Sequence, residues 1–317
     1  MNPFYIVDVF AETKYAGNPL AVVTSAGALS DEEMQQIARE MNYSETTFVL
    51  SDVSRDGGYD VRIFTPIQEL PFAGHPTLGT AFVLQQEIVR QPVETIVLNL
   101  KVGQIPVTIE YCLKPAASQK GIGVACPKDL ASPEGNRTLP TVLWMRQTPP
   151  VFQQPLTAEA LAAVLQVNLD DIDSRSPIQA VSTGVPFMIV PLKTLQALQR
   201  IEIDRDRYFS LIETTDAKAI LAFCPETRNP KNHLSVRVFA EALGVPEDPA
   251  TGSANGCLAG YLVRHRYCDD DAIDLRVEQG YEIDRPSLLL LKAQAQADEI
   301  VVQVGGRAIA IAKGELI

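Results

Sequence analysis

Two segments of the sequence place a polar residue directly before a proline and small residues directly after it. One runs from His75-Pro76 to Gly79, and the other runs from Asp248-Pro249 to Ser253. A polar residue followed by proline is typical of an N-cap and the first helical position, so each segment predicts a helix start. Free N–H groups and a partial positive charge at two such starts would suit the carboxylate of a small organic acid. Capping alone is the alternative for each segment.

Glu45 is the candidate for a proton-transferring group. It lies between the end of the first predicted helix and an apolar strand that begins near Thr47. Desolvation at the edge of a buried strand would raise the pKa of this carboxyl toward values useful for proton transfer. The competing interpretation is a solvated glutamate at a turn. His75, which follows Gly74, is either a hydrogen-bonding residue or a base.

Several classes of site are excluded by what the sequence lacks. It has no metal-ligand spacing, no Walker sequence, no dinucleotide fingerprint and no nucleophile elbow, so catalysis without a metal or cofactor is expected. The five cysteines are odd in number and include no C-x-x-C pair, which favours reduced thiols over a disulfide framework or a zinc site.

Composition bounds the class of protein and its partners. A length of 317 residues, with 46% apolar and 21% charged residues, predicts a globular protein of two domains. The formal charge is −12, from 27 Lys and Arg against 39 Asp and Glu, which argues against nucleic-acid binding. The N-terminal residues do not form a signal peptide, and no apolar run could span a membrane. We therefore expect a cytoplasmic protein with a small-molecule partner.

Many short strand patterns alternate with few helical ones. Strands are predicted near residues 5–10, 20–23, 47–50, 59–65, 95–100 and 104–111, and a Ser-capped helix near residues 30–41. This mixture predicts an α+β fold rather than a doubly wound parallel sheet. The small, polar stretch near residues 114–120 predicts a domain boundary.

An internal repeat supports two duplicated domains. Residues 61–64 resemble residues 236–239 at an offset of 236 − 61 = 175, and residues 75–81 resemble 248–254 at 248 − 75 = 173. Upstream, residues 17–23 resemble residues 184–190. Carrying the first offset upstream pairs Glu45 with Ile220, so the acid has no partner acid in the second half.

Four segments of the chain resemble the PhzF-like family of phenazine biosynthesis, whose fold is shared with diaminopimelate epimerase. The resemblance covers essentially the whole chain. It is carried by Asn18-Pro19 and by residues 44–48, 69–77 and 247–255.

The resemblance implies a fold, an activity and a set of site residues. It implies a homodimer of two-domain chains, each domain a curled, barrel-like mixed sheet around a central helix, with the site in the inter-domain cleft. On this basis we expect domains at 1–117, with a C-terminal strand near 306–317, and at 118–305. The implied reaction is a proton shift between ring carbons of a small acid. The implied catalytic residues are Glu45, His75 and Asp248, and the implied substrate-binding residues are Gly74, Gly252 and Ser253.

Three functions stay open from the sequence. A single carboxylate that removes and returns a proton on one face predicts an isomerase. A racemase or epimerase needs a second proton-transferring group. The epimerase relatives use a cysteine from each half, and the matching positions here appear as Ala73 and Pro249, which leaves Cys257 as the candidate second base. The third function is a non-catalytic protein that binds a metabolite or a protein partner.

Overall fold

A computed structural model describes residues 1–111, 140–297 and 299–317. Within these ranges it contains 18 strands and six α-helices. The strands are β1 (Asn2–Val9), β2 (Asn18–Val23), β3 (Thr46–Val49), β4 (Tyr59–Phe64), β5 (Glu69–Leu70), β6 (Thr95–Leu100), β7 (Gly103–Tyr111), β8 (Pro140–Arg146), β9 (Val151–Pro155), β10 (Gln179–Ser182), β11 (Pro186–Pro191), β12 (Ala219–Cys224), β13 (Leu234–Ala240), β14 (Val245–Asp248), β15 (Ala272–Gln279), β16 (Ser287–Gln296), β17 (Glu299–Gly306) and β18 (Ala308–Leu316). The helices are α1 (Asp31–Met41), α2 (Gly74–Val83), α3 (Ala158–Leu165), α4 (Leu195–Gln199), α5 (Arg205–Glu213) and α6 (Gly252–Arg264).

The chain divides into two compact units. Unit 1 comprises residues 1–9, 19–145 and 307–317, and unit 2 comprises residues 10–18 and 146–306. The sequence-based division at 117/118 lies outside the described residues. Two segments differ from that division: residues 10–18 group with unit 2, and residues 140–145 group with unit 1, because β8 pairs with β7.

In unit 1 the strands form a mixed sheet in the spatial order β18, β1, β2, β3, β4, β6, β7, β8, with β5 as a hairpin partner of β4. The β2–β3 and β4–β6 pairs are parallel. The strand that completes one edge, β18, comes from the far end of the chain and pairs antiparallel with the whole of β1.

Unit 2 repeats this order strand for strand. Its sheet runs β9, β10, β11, β12, β13, β15, β16, β17, with β14 as a hairpin partner of β13. Its parallel pairs, β11–β12 and β13–β15, occupy the same places as those of unit 1. The edge strand β9 stands where β18 stands in unit 1. The nine matching strands extend the repeat that three short sequence blocks indicated.

One helix in each unit is enclosed by its sheet. All ten residues of α2 are buried, and 11 of the 13 residues of α6 are buried. At Gly79 an added Cβ would lie 2.6 Å from a Leu20 methyl and 2.8 Å from a Val9 methyl, so α2 approaches β1 and β2 too closely for a larger residue. The prediction of an α+β fold, with curled mixed sheets around central helices, is confirmed.

Candidate active site

Glu45 directly precedes β3, on the side of the strand that faces α2. Two residues further on, Thr47 Oγ1 lies 2.8 Å from Thr80 Oγ1 of α2. Because alternate side chains of a strand share one face, Glu45 points toward the same helix as Thr47. Its side chain is only 16% exposed. The solvated-turn interpretation of Glu45 is therefore wrong.

The neighbour of Glu45 on α2 is His75, in the first turn of that helix. Nε2 of His75 lies 3.5 Å from Oε2 of Glu45. The ring's other nitrogen donates to the Pro19 carbonyl, since Nε2 has no hydrogen-bonded partner within the described chain. Burial lowers the pKa of His75 to about 3, with the Pro19 bond opposing this shift. The imidazole is therefore neutral near pH 7.

The tautomer of His75 determines what the pair can do. With Nδ1–H committed to Pro19, the lone pair on Nε2 faces the Glu45 carboxyl. A carboxylic acid can donate to this lone pair, whereas a carboxylate cannot. At 3.5 Å, Nε2 and Oε2 face each other without a hydrogen bond between them in this structure. A protonated Glu45 would find in Nε2 an acceptor that stays uncharged, so the neutral histidine offers Glu45 an acceptor rather than a competing base.

The N-cap of α2 is not His75, the residue that the sequence predicted. The N-cap is Ala73 and the helix begins at Gly74, so His75 and Pro76 occupy the second and third helical positions. Pro76 is tolerated there because the first-turn N–H groups have no intrahelical acceptor. Ala73 offers no side-chain cap, whereas Ser30, Thr194 and Asp204 cap α1, α4 and α5. The N–H groups of this turn receive no side-chain cap from Ala73.

The second predicted cap, Asp248-Pro249, is also wrong. The N-cap of α6 is Thr251, and the helix begins at Gly252. Asp248 instead ends β14 and accepts two hydrogen bonds, from Asn18 Nδ2 at 2.9 Å and from Thr251 Oγ1 at 2.5 Å. Burial raises the pKa of Asp248 to about 6, against the lowering effect of these two donors.

Amide side chains surround the Asp248 turn. Asn18 Nδ2 also donates to the Ala250 carbonyl, and Gln279 Nε2 donates to the Asp248 carbonyl. Asn255, in the first turn of α6, donates to Gln279 Oε1. Sequence reasoning included Asn18 and Asn255 only as parts of motifs and missed Gln279, because a single polar residue at a strand end carries no signal.

The duplicated fold provides an internal comparison for these residues. Thr46 pairs with Phe64 and Ile220 pairs with Phe239, which makes Thr46 the match of Ile220. The counterpart of Glu45 is therefore Ala219, one residue before the position that the sequence offset predicted. The conclusion that Glu45 has no acidic partner in unit 2 stands.

The two helix starts align in the same way. The carbonyl of each N-cap accepts from the residue four positions later, Thr77 in α2 and Asn255 in α6. This makes Ala73 the match of Thr251 rather than of Pro249, Gly74 the match of Gly252, and His75 the match of Ser253. Neither N-cap is a cysteine.

Some residues are the same in both units and serve the fold. Arg62 binds Glu69 through two nitrogens at 2.8 Å, and Arg237 binds Glu247 through two nitrogens at 2.9 and 2.7 Å. Each pair ties the β4–β5 or β13–β14 hairpin together. In contrast, Glu45 and His75 occur only in unit 1, while Asp248 and Gln279 occur only in unit 2. Residues that differ between duplicates are the ones free to serve chemistry.

Cys257, the candidate second base, lies in the interior of unit 2. It is completely buried, and its sulfur lies 3.6 Å from both Thr183 Oγ1 and the Val185 carbonyl. Burial raises the pKa of this thiol to about 11, so a thiolate is disfavoured near neutral pH. These surroundings indicate a core thiol.

Among the residues that the structure describes, no three His, Cys, Asp or Glu side chains are grouped so as to hold a metal ion. Within the same ranges, no α-helix combines the length and apolar character needed to cross a membrane.

Comparison with known proteins places the chain in a family. The model of the family described as phenazine biosynthesis-like protein matches residues 7–314. The chain belongs to the PhzF family. A relative from Pseudomonas aeruginosa, named trans-2,3-dihydro-3-hydroxyanthranilate isomerase, is 36% identical over 99% of both chains. The prediction that the chain is an isomerase of the PhzF family is confirmed.

Solved structures agree with this placement. A PhzF-family phenazine biosynthesis protein from Bacillus anthracis superposes with a TM-score of 0.84 at 28% identity, covering 100% of this chain and 99% of that one. A probable proline racemase from Agrobacterium radiobacter has a TM-score of 0.59 at 11% identity, covering 100% of this chain and 93% of that one. At this identity, the racemase shows only a fold shared with this chain.

Proposed function

We propose that this PhzF-family isomerase moves a proton between two carbons of a small cyclic acid, with Glu45 as its single acid/base. The observation that carries the proposal is the Glu45–His75 pair: a largely buried carboxyl faces the lone pair of a neutral imidazole at 3.5 Å. The P. aeruginosa relative suggests trans-2,3-dihydro-3-hydroxyanthranilate as the first substrate to test.

The proposed reaction has two proton transfers on one face of the substrate. The Glu45 carboxylate takes a proton from one ring carbon, and the electron pair of that C–H bond delocalises into the conjugated system. Glu45, now a carboxylic acid, donates to Nε2 of His75 and keeps the proton in place. It then returns the proton to a second ring carbon. The product is an isomer of the substrate, and no atom is gained or lost.

Backbone groups at the two helix starts complete the proposal. The N–H groups near Gly74 in unit 1, and Gly252 with Ser253 in unit 2, are assigned to substrate oxygens, since helix N-termini favour negative charge. Asp248 is assigned as a hydrogen-bond acceptor for the substrate. These roles follow from the residue types, the uncapped helix starts and the family match.

The alternative epimerase mechanism has less support. It requires a second proton-transferring group, and its candidate Cys257 is buried with a raised pKa. The N-cap positions hold Ala73 and Thr251, and Thr251 already donates to Asp248. A one-base proton shift therefore fits the described residues better.

Isotope exchange tests the proposal directly. In deuterium oxide, the wild-type protein should convert trans-2,3-dihydro-3-hydroxyanthranilate, and deuterium that exchanges onto the Glu45 carboxyl before the second transfer should be found by NMR at one ring carbon. Glu45→Gln should slow this conversion by about 10²- to 10⁴-fold, the usual contribution of a general acid/base. The substrate should still bind, because the amide has nearly the shape of the acid.

A matched control separates chemistry from charge. Glu40→Gln makes the same change on the exposed end of α1 and should leave the rate unchanged. Wild-type turnover by Glu45→Gln would reject Glu45 as the acid/base. No turnover of this acid by the wild-type protein would reject the proposed substrate.

Two further properties follow from family membership and are part of the proposal. We assign a homodimer, as PhzF-like proteins are expected to form, and a cytoplasmic location. Light scattering after gel filtration tests the first, because a mass near twice 34.6 kDa is expected. Cell fractionation tests the second.

A further inference from the structure

The amide of Gln279 makes four hydrogen bonds beneath the Asp248 turn. Its side chain is almost fully buried, with 1% of the residue exposed. Oε1 accepts from the Thr251 backbone N–H at 3.2 Å and from Asn255 Nδ2 at 2.9 Å. Nε2 donates to the Asp248 carbonyl at 2.8 Å and to Thr251 Oγ1 at 3.1 Å. Because two donors face its oxygen and two acceptors face its nitrogen, the amide has one satisfactory orientation.

This orientation fixes the direction of the hydrogen bond that reaches Asp248. The Thr251 hydroxyl accepts from Gln279 Nε2, which can only donate. The hydroxyl hydrogen is then directed to Asp248 Oδ2, 2.5 Å away. Gln279, Thr251 and Asp248 thus form a donor chain in which each member orders the next.

The duplicated unit shows that the fold does not require this amide. Asp60 pairs with Asn99 in unit 1, and the matching pair in unit 2 is Ser235 with Glu278. The next residue along each strand is Leu100 in unit 1 and Gln279 in unit 2. The same strand end is therefore built with a buried leucine in unit 1.

The following residue is also fitted to the Asp248 turn. Gly280 has φ +78°, and an added Cβ would lie 2.5 Å from the Pro249 carbonyl oxygen and 2.4 Å from that of Arg285. A side chain at this position is excluded both by the left-handed backbone and by these contacts. Gln279 and Gly280, two successive residues of unit 2, thus both pack against the segment that carries Asp248.

We propose that Gln279 is a positioning residue for the isomerase reaction: its amide aims the Thr251 hydroxyl at Asp248 and holds that carboxylate ionised and oriented. The inference rests on the proposed role of Asp248. A hydrogen-bond donor fixed on a carboxylate favours its charged form. Removing the donors that Gln279 orders should therefore favour the protonated form of Asp248.

The test is the titration of Asp248 itself, followed by ¹³C NMR of labelled carboxyl groups and assigned with Asp248→Asn. Gln279→Leu places at this site the residue type that unit 1 has. The titration midpoint of Asp248 in this variant should rise by about half a pH unit or more. Gln279→Glu keeps the acceptor oxygen and adds a negative charge, so it should also raise the midpoint.

Other outcomes of the titration overturn the proposal. An unchanged midpoint in both variants would mean that Gln279 does not order the donor to Asp248. A fall toward an ordinary aspartate value would mean that the segment has opened to water, so that Gln279 merely holds the fold. Tyr261→Phe is the matched control, because it removes another hydrogen bond of α6, the one to the Pro177 carbonyl. It should leave the titration midpoint of Asp248 unchanged.

Kinetics then connect positioning with turnover. Gln279→Leu should lower kcat/KM for trans-2,3-dihydro-3-hydroxyanthranilate by about tenfold or more, and should add little in an Asp248→Asn background. Full additivity of the two changes would contradict a shared role. If the wild-type protein does not turn over this acid, the proposed substrate fails, while the NMR titration still decides the role of Gln279.

Discussion

At the scale of single residues, burial rather than residue type gives the site its properties. His75 would titrate near neutrality in water, yet its interior position lowers its pKa to about 3. Burial works in the opposite direction on Asp248, whose pKa rises to about 6. A neutral imidazole next to Glu45 and a carboxylate that titrates near pH 6 follow from the same desolvation, since the neutral form is favoured in each case.

His75 should make the protein sensitive to acid. Because its folded-state pKa lies below its unfolded value, the unfolded chain takes up the proton first, and stability falls as the pH drops below about 6.5. Acidification from about pH 7.5 to about pH 5 should cost about 2 kcal/mol through this residue. His75→Asn can still donate to Pro19 but does not titrate. Over the same pH range, its free energy of unfolding should fall by about 2 kcal/mol less than that of the wild-type protein.

Urea unfolding at several pH values measures this difference. Comparing the variant with the wild-type protein cancels the opposing contribution of Asp248, whose raised pKa makes the folded state gain protons first on acidification. Parallel stability curves for the two proteins would show that His75 is not held neutral.

At the scale of elements, each hairpin is held by an arginine, but the two arginines differ in their surroundings. Arg237 is buried, and besides Glu247 it donates to the carbonyls of Leu198, Gln199 and Ile201 at the end of α4. Arg62 is partly exposed, and its partner Glu69 has a second cation in Lys101. Arg62 also binds Asp31 at the start of α1, but that carboxylate is exposed, so the two arginines differ chiefly in burial.

These surroundings predict unequal costs for one substitution. Arg237→Met should lower the free energy of unfolding by about 3–5 kcal/mol, because a largely buried Glu247 and three carbonyls lose their donor. Arg62→Met should cost about 1 kcal/mol, since water and Lys101 compensate. Chemical denaturation of both variants measures the difference. Equal losses would contradict the packing assigned to Arg237.

At the scale of the whole molecule, duplication separates what the fold needs from what the reaction uses. Both units build the same nine-strand order around a buried helix. Only unit 1 carries a histidine at its helix start with a glutamate beside it, and only unit 2 carries the Asp248 turn with its buried amides. The repeat itself thus indicates which positions the fold leaves free.

The C-terminal strand should be essential to unit 1 although it is last in sequence. Along β1, all eight residues are paired with β18. Deleting residues 307–317 should increase hydrogen exchange by about tenfold or more at the β1 amides that bond to β18, because they lose their acceptors. Exchange in β10 should change little, since β9 is its partner.

Removing only Ile317 is the control for this deletion. That residue lies beyond β18 and is fully exposed, so its loss should leave the exchange of β1 unchanged. Slow exchange of β1 in the longer deletion would show that unit 1 does not depend on this edge pairing.

The sequence by itself determined the α+β class, the duplication and the family. The short strand patterns, the Ser30 cap of α1 and the long motif at residues 69–77 are local properties, and local backbone chemistry decides them. It also singled out Glu45 and His75, and the structure places their side chains together.

Only the tertiary structure decided how these residues are arranged. Proline suggested caps at His75 and Asp248, but packing of α2 and α6 inside their sheets sets the helix starts at Gly74 and Gly252. The role of Gln279 depends on contacts with residues about 30 positions away, such as Thr251. Burial and hydrogen-bond direction arise from such distant neighbours, so they fix the tautomer of His75 and the charge of Asp248 where no local pattern can.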